Sequence, residues 1–248
     1  MAIIKIGRSI IMDKKFTGIQ AVGKIVAEFP QASEIFKRYR IDFCCGGDKL
    51  LTVAAKELNI DENVVLEELN QNYNTIQKQN NWGEEVDWRQ QSLSQLVDHI
   101  ISKHHVYLER EMPVISEFVT KILQVHGASH SELGKVHKLF HALKMELDQH
   151  LIKEEEALFP LIKEYEQNPS SQLLAAIKHQ IETIENEHEQ AGDIIKELRR
   201  ITNQYALPAD ACTSYRLAYQ KLEEMESDLF QHIHLENNIL HPMIYNRR

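Results

Sequence analysis

Apolar residues recur every three or four positions along most of the chain, which is the spacing of one face of an α-helix. The longest stripes predict four helices, over residues 92–125, 131–166, 169–203 and, after a connection that begins at Pro208, up to Tyr245. Each segment holds about 30–37 residues and is therefore roughly 45–55 Å long. Four such helices with short connections form an up-down-up-down bundle. The predicted fold class is all-α.

A smaller helical block precedes these segments. Its apolar pattern predicts four short helices, over residues 18–29, 31–39, 49–58 and 62–73. Asp48 and Asp61 stand where N-caps are expected. The polar stretch from Asn74 to Gln91 predicts a linker. These patterns divide the chain into a small helical domain at 14–76, a linker at 77–91 and a bundle at 92–248.

Local signals mark several ends of the long helices. Ser92 and Gln95 have the spacing of a capping box at the start of the first one, and Gly127 is expected to stop it. Asn168 and Pro169 predict the N-cap and the first-turn proline of the third helix. The helix boundaries therefore rest on side-chain chemistry as well as on the apolar pattern.

Charge and composition exclude several classes of partner. The net charge of −9 disfavours binding to a phosphate backbone. No apolar run exceeds six residues, whereas a membrane span needs about 20. The opening Met1–Met12 does not resemble a signal peptide, and three cysteines, an odd number, fit a reducing cytosol. We therefore expect a cytoplasmic protein that binds neither nucleic acid nor membranes.

The 13 histidines raise the question of a metal site. Three of them have an acidic residue four positions later, which places both side chains on one helix face: His105–Glu109, His150–Glu154 and His232–Glu236. The composition alone yields about two such pairs by chance, so the spacing by itself does not distinguish a metal site from a solvated helix face.

An internal repeat is the stronger signal. When the chain is shifted by 82 residues, six of the 14 positions from 149 to 162 are identical, and the His-x-x-x-Glu motif at 150–154 falls on that at 232–236. His105 and His188 lie 45 and 44 residues before these motifs. The bundle is thus expected to contain two similar hairpins, and a pseudo-twofold axis between them brings four histidines and two glutamates together in its middle.

The apolar stripes place all six of these donors on core faces. A buried carboxylate without a partner is very expensive, so two in one core imply cations. Four imidazoles and two carboxylates suit iron, manganese or zinc rather than Ca²⁺ or Mg²⁺. A core of hydrogen-bonded histidines and glutamates stays open as the alternative, although it does not explain the repeat. The candidate metal ligands are His105, His150, Glu154, His188, His232 and Glu236.

Other polar residues fit this arrangement less well. Glu109 lies one turn after His105, but the second hairpin has Gly192 at the matching position. Glu146 and Asp228 lie one turn before a candidate ligand, where a hydrogen bond to its free ring nitrogen and a surface position are equally expected. Five further histidines fall on the opposite sides of their helices and are predicted at the surface: His137, His141, His179, His234 and His241.

Cys44 and Cys45 lie next to each other in a loop between two short helices. Adjacent cysteines rarely bond to each other without backbone strain. Two glycines follow, which lets a partner or a metal approach closely, and Lys49 with the next helix N-terminus is expected to lower a thiol pKa. The alternative is two small, half-buried residues before a turn. Cys212 receives no role.

Taken together, these motifs resemble the Repair of Iron Centres family, the iron–sulfur cluster repair di-iron proteins. The resemblance extends from about Phe16 to the end of the chain. The matching motifs are Asp42–Gly47, His150–Glu154 continuing through Phe159-Pro160, Glu187–Glu189 with Ala191-Gly192, and His232–Asn238.

The resemblance implies a small domain with vicinal cysteines, followed by a hemerythrin-like up-down-up-down four-helix bundle with two non-haem iron ions. It makes His105, His150, His188 and His232 iron ligands and Glu154 and Glu236 carboxylate bridges, and it leaves Glu109 out. It also implies repair of iron–sulfur proteins damaged by nitric oxide or oxidants, through a supply of iron. Cys44 and Cys45 then act in transfer or redox chemistry.

Two other functions stay open. One is a di-iron enzyme that reduces nitric oxide or a peroxide, and the other is a sensor or carrier of O₂ or nitric oxide. The cysteine loop favours transfer over plain O₂ carriage, because a carrier needs no thiols. The pattern leaves the oligomeric state open, a homodimer included.

Overall fold

The computed structural model describes residues 15–79 and 86–247. Within these residues the chain is helical, and extended pairing is limited to one bridge between Ala21 and Leu50. The chain separates into two compact units, one up to Val86 and one from Asp87 onward. The all-α prediction is confirmed. The opening Met1–Met12 and residues 80–85 of the predicted linker lie outside the described residues.

The first unit contains four short helices. They are α1 (Val22–Glu28), α2 (Ala32–Tyr39), α3 (Leu51–Glu57) and α4 (Glu62–Gln79). Asp61 caps α4 as predicted, because its side chain accepts a hydrogen bond from the Asn63 backbone N–H at 2.9 Å. The prediction for Asp48 was wrong, since α3 begins only at Leu51, after Leu50 as its cap residue.

Helix α4 continues six residues beyond its predicted end at Tyr73. Its later turns carry asparagine, glutamine and lysine side chains that mostly face solvent, and this polarity resembles that of a linker. Residues 77–79 of the predicted linker are therefore helical, and a short 3₁₀ turn covers Trp88–Gln90 near its other end.

The second unit is a bundle of four long helices. The first consists of α5 (Leu93–Ile100), the π-helical turn π1 (Ile101–His105) and α6 (Val106–His126). The second consists of α7 (Leu133–Lys153), π2 (Glu154–Leu158) and α8 (Phe159–Gln167). The third is α9 (Ser171–Ile201). The fourth consists of α10 (Thr213–Leu235), π3 (Glu236–Leu240) and α11 (His241–Tyr245).

Most end signals of the bundle helices act as predicted. Ser92 and Gln95 form the capping box, and Gly127 directly follows the last residue of α6. The N-cap of α9 is Ser170, not Asn168, because Ser170 is extended and its hydroxyl accepts from the Leu173 backbone N–H at 3.2 Å.

A carboxylate from the second bundle helix also holds the start of the first. Glu166 accepts hydrogen bonds from the backbone N–H groups of Leu93 and Ser94, at 2.7 and 3.0 Å, and from the Ser94 hydroxyl at 2.5 Å. These amides belong to a helix N-terminus, which has no intrahelical partner for them and favours negative charge. Glu166 thereby links the two ends.

We expect Glu166→Ala to lower the free energy of unfolding by about 1–2 kcal/mol, because two backbone donors lose a charged acceptor. Urea denaturation followed by circular dichroism measures the change. Glu164→Ala is the matched control, since Glu164 is exposed on the same helix. Equal stability of the two variants would contradict the capping role.

Candidate metal centre

The six candidate ligands converge in the middle of the bundle. Each of the four long helices supplies at least one of them, and the second and fourth helices supply a histidine and a glutamate each. All six side chains are buried: His105, His150, Glu154, His188, His232 and Glu236.

Their donor atoms form two groups that share both carboxylates. One group combines His105 and His232 with Glu154 and Glu236, and within it all donor atoms lie within 4.8 Å of one another. The other combines His150 and His188 with the same two glutamates. Each histidine pair directs its Nε2 atoms at each other, 3.1 Å apart in both cases. The first helix therefore pairs with the fourth and the second with the third.

The two glutamates lie between the histidine pairs. Glu236 places Oε1 at 3.1 Å from Nε2 of His232 and Oε2 at 3.1 Å from Nε2 of His188. Glu154 places Oε2 at 3.4 Å from Nε2 of His105 and at 3.3 Å from Nε2 of His150. Each carboxylate thus faces one histidine of each pair and is shared by the two groups.

The burial of these carboxylates calls for a cation. Glu154 and Glu236 are fully buried. Among the described residues, neither oxygen of Glu154 nor Oε2 of Glu236 accepts a well-formed hydrogen bond, although histidine Nε2 atoms lie 3.1–3.4 Å from Oε2 of each glutamate. Leaving such groups unsatisfied in a protein core is strongly unfavourable. The arrangement of nitrogen and oxygen donors around these atoms therefore fits bound metal.

Burial and the close carboxylates shift the pKa values of several of these side chains. Burial opposes the imidazolium form, but Glu154 and Glu236 outweigh it and raise the pKa of His105 to about 9. Burial also opposes the imidazolium form of His188, but the nearby glutamates outweigh it and raise the pKa of His188 to about 9. For His232 burial prevails and lowers the pKa. Burial works against ionisation of Glu236 as well, yet the neighbouring histidines hold its pKa well below the usual range.

Three of the candidate histidines are oriented by a side chain that contacts Nδ1, the ring nitrogen that does not face the shared glutamates. The Nδ1 atom of His105 lies 2.8 Å from Glu155, and that of His188 lies 2.8 Å from Asn237. Such contacts fix the ring and its tautomer for metal binding through Nε2. Glu155 and Asn237 occupy equivalent positions in the 82-residue repeat, directly after the two shared glutamates. This equivalence in the sequence is a signal that could have identified both residues.

The partner of His150 is Glu187, whose carboxylate lies 2.9 Å from Nδ1. This hydrogen bond, more than any other interaction, lowers the pKa of Glu187 to about 2. The open choice for Glu146 is resolved in favour of the surface, because its side chain is exposed. Asp228 contacts Nδ1 of His104 at 3.0 Å, so it orients a neighbour of a ligand rather than His232.

π-helical turns change which side of a helix faces the core, and they explain one wrong prediction of surface position. They occur at His105, Glu154 and Glu236, and each delays the helix that follows by about one residue, or roughly 100°. The delay in π3 brings His241, predicted at the surface, into the core, where Nδ1 lies 3.0 Å from Glu185. The prediction for His241 was therefore wrong.

The other histidines behave in three ways. His179 is exposed, as predicted. His137 and His141 are half-buried instead of exposed, because they contact hydroxyl groups of the first bundle helix at 3.3 and 2.9 Å. The surface prediction for His234 was wrong, since the last turns of α10 are enclosed on all sides and leave it 2% exposed. Glu109 is exposed, away from the ligands.

A cavity of about 100 Å³ leads away from the ligands. Its lining includes His150, His188 and His232 together with side chains nearer the surface, namely Glu146, Lys153 and Glu187. Lys153 donates a hydrogen bond to Glu187. The cavity therefore borders three of the four histidines as well as charged side chains nearer the surface.

The cysteine loop of the first unit closes around Asp42. One oxygen of Asp42 accepts from the backbone N–H groups of Cys44 and Gly46, at 3.1 Å each, and lies 3.3 Å from the Cys44 sulfur. A Cβ atom at Gly46 would lie 3.2 Å from the Asp42 carbonyl oxygen, which favours glycine there. The sulfur atoms of Cys44 and Cys45 are 3.8 Å apart, too far for a disulfide.

For Cys44, the structure contradicts the expectation that a thiol pKa of this loop is lowered. Burial is the main influence on its thiol and raises the pKa well above the ordinary value. Lys49, predicted to lower it, donates to Glu57 at 2.8 Å instead. Asp42, Cys44 and Cys45 nevertheless bring three possible metal donors within 4.8 Å of one another.

A four-helix bundle with paired histidines and shared core glutamates defines a helical metal-binding protein. Residues 96–244 match the family model of the hemerythrin HHE cation-binding domain. Residues 18–73 match a domain of unknown function, ScdA_N. The hemerythrin match implies that the metal is non-haem iron.

Full-length relatives agree with these two matches. A probable iron–sulfur cluster repair protein of Haemophilus influenzae is 34% identical over 92% of this chain and 98% of its own. The iron–sulfur cluster repair protein YtfE of Escherichia coli O81 is 34% identical over 90% of this chain and 95% of its own. This chain belongs to the iron–sulfur cluster repair protein family. None of the described helices is long and apolar enough to cross a membrane.

Proposed function

We propose that this chain is a non-haem di-iron protein that repairs iron–sulfur clusters damaged by nitric oxide or oxidants, and that it does so by supplying iron. The observation that carries the proposal is the pair of donor groups sharing Glu154 and Glu236. This arrangement suits two ions with both carboxylates as bridges. The names of the relatives support the cellular role, since both describe cluster repair.

In this proposal each iron ion has two imidazole nitrogens and a share of both carboxylates. His105 and His232 hold one ion, and His150 and His188 hold the other. Six protein donors for two ions leave coordination positions open, in contrast to the closed shell of a structural site. At an open position, a ligand of the receiving protein could bind the ion and replace a ligand of this chain. A protein that supplies iron requires such ligand exchange.

The cavity supplies the exit route in this proposal. It connects His150 and His188 with two carboxylates nearer the surface, those of Glu187 and Glu146. Carboxylate oxygens are suitable ligands for an iron ion that leaves imidazole coordination. We assign them the passage of iron from the centre to solvent.

We propose that Cys44 and Cys45 bind iron during its transfer. Together with Asp42 they offer two sulfur donors and one oxygen donor in a single loop. The buried Cys44 thiol has a raised pKa and is a poor nucleophile on its own. Metal binding removes a thiol proton outright, so a role in metal transfer fits this environment better than free-thiol redox chemistry.

The decisive experiment is iron transfer to a damaged acceptor. The iron-loaded protein is mixed anaerobically with an iron–sulfur protein whose cluster has been destroyed by nitric oxide, and sulfide and a reductant are added. We expect the cluster absorption to return while this chain loses iron in proportion. Retention of iron with repeated consumption of nitric oxide or peroxide would instead establish an enzyme.

Glu187→Gln should weaken iron binding at the His150 and His188 site by roughly 10–100-fold, because His150 loses a charged partner behind its ring. Equilibrium competition with a chromophoric iron chelator measures this affinity independently of the rate of iron exit, and we expect one iron per chain to be lost at a lower chelator concentration than in the wild type. Glu189→Gln is the matched control on an exposed position of the same helix. Identical equilibrium competition curves would contradict the role of Glu187 behind His150.

We also propose the cytoplasm as the location, from the cysteine count, and damaged iron–sulfur proteins as partners. Homodimerisation stays a prediction that sedimentation of the iron-loaded protein tests directly.

A further inference from the structure

Four metal-binding side chains lie together at one end of the bundle, away from the centre. His126 ends α6 and His130 follows in the turn to α7, while Asp210 and Cys212 belong to the connection that leads into α10. His126 is 21 residues beyond His105, which corresponds to roughly 30 Å along the helix axis. These residues take no part in the proposed iron centre.

Three of the four side chains form one compact group of donor atoms, and Cys212 contacts one of the three. Nε2 of His130 lies 3.0 and 3.1 Å from the two oxygens of Asp210, and Nε2 of His126 lies 3.2 Å from the sulfur of Cys212. Donor atoms of His126, His130 and Asp210 all fall within 4.8 Å of one another. In a tetrahedral zinc site, neighbouring donors are about 3.3–3.6 Å apart, as the metal–ligand bond lengths dictate.

A buried tyrosine supports both imidazoles. The ring of Tyr215 is 1% exposed and meets His126 and His130 edge-on, with centroids 5.4 and 5.7 Å away. Its hydroxyl lies 3.2 Å from that of Tyr219, which fixes the ring further. The imidazoles thus rest on a rigid surface, while the exposed Asp210 and Cys212 leave the cluster open to ions from solvent.

The charge state also suits metal binding. The hydrogen bond with His126, followed by backbone N–H groups at the start of α10, lowers the pKa of Cys212. His130 lowers the pKa of Asp210 in the same way, and Asp210 raises that of His130. A thiol with a lowered pKa is a ready metal ligand.

We propose that His126, His130, Asp210 and Cys212 form a second, mononuclear site for a divalent transition metal of the zinc type. Two imidazoles, one thiolate and one carboxylate are a donor set for borderline metals and not for Ca²⁺ or Mg²⁺. The ion connects the turn between the first two helices with the loop between the last two. It therefore links the two hairpins of the internal repeat.

Cobalt(II) added to the iron-loaded full chain tests this site, because cobalt bound to a thiolate in four-coordinate geometry absorbs strongly in the near ultraviolet and the visible. We expect one equivalent to bind, with both absorptions in the difference spectrum. Cys212→Ser should abolish the thiolate absorption, and Asp210→Asn should weaken cobalt binding. Serine is a favoured N-cap, so Cys212→Ser keeps the start of α10 capped.

Because Cys44 and Cys45 are themselves proposed metal donors, the Cys44→Ala/Cys45→Ala variant leaves Cys212 as the one cysteine of the sequence, and it should keep the thiolate absorption that Cys212→Ser lacks. A spectrum that persists in Cys212→Ser but disappears in this variant would place the ion at the vicinal cysteines and overturn the proposal. Absence of cobalt binding in the wild type would reduce the cluster to a set of hydrogen bonds and would equally overturn it. Iron content stays at the wild-type level in all variants, so the outcome is independent of the proposed iron centre.

Discussion

His150→Ala and His232→Ala are each expected to reduce the iron content from about two ions per chain to fewer than one. Each variant removes one imidazole from one donor group. Without that imidazole the ion of its group is expected to dissociate, and the buried carboxylates of Glu154 and Glu236, which both groups share, then lack its positive charge. The loss therefore spreads to the second ion. Iron analysis of purified protein, with circular dichroism as a check of the fold, measures the effect.

His137→Ala is the control for this experiment. It lies on the same helix as His150, but it is half-buried and faces Thr120 on the first bundle helix. We expect this variant to bind iron like the wild type. Unchanged iron in both His150→Ala and His232→Ala would refute the ligand assignment. Iron loss in His137→Ala would show that the predicted helix faces selected the wrong histidines.

The Cys44→Ala/Cys45→Ala variant is expected to keep its iron and its helical signal but to lose most of its cluster repair. The six candidate iron ligands all belong to the bundle, so we expect the centre not to need the thiols. The cysteine loop is held by Asp42 through backbone N–H groups, and these hydrogen bonds do not depend on sulfur. Iron content, circular dichroism and the rate of cluster recovery are measured on one preparation.

A serine version of the same double change separates chemistry from packing. Cys44 is 2% exposed, so alanine leaves a small void, whereas serine nearly preserves the volume and still reaches Asp42. If the thiols act in transfer, the serine and alanine variants both fail to repair clusters. Recovery at the wild-type rate in either one would mean that the cysteines are structural, and loss of iron would mean that they help to assemble the centre.

The local elements were largely predictable because they depend on neighbouring residues. The apolar stripe and the capping box at Ser92 and Gln95 define the first bundle helix without reference to the rest of the chain. Polar residues at the end of α4 misled the prediction, since a helix with one buried face tolerates asparagine and glutamine on the other.

The residues of the candidate metal centre were predictable because the internal repeat identifies them. The 82-residue shift singled out His150 with Glu154 and their copies at 232 and 236, and the matching offsets added His105 and His188. What the repeat left open was the pairing. The structure combines the first helix with the fourth and the second with the third, so each donor group draws on both hairpins.

The sequence by itself therefore determined the helices, the two hairpins and the six candidate ligands, because periodicity and repetition act along the chain. Only the tertiary structure decided the π turns, the burial of His234 and His241, and the contact of Glu187 with His150. It also decided that Cys44 is buried and that Cys212 meets His126. Each of these depends on side chains far apart in sequence, whose packing can shift a helix by one residue or change the solvation of a charge, and no local pattern encodes that.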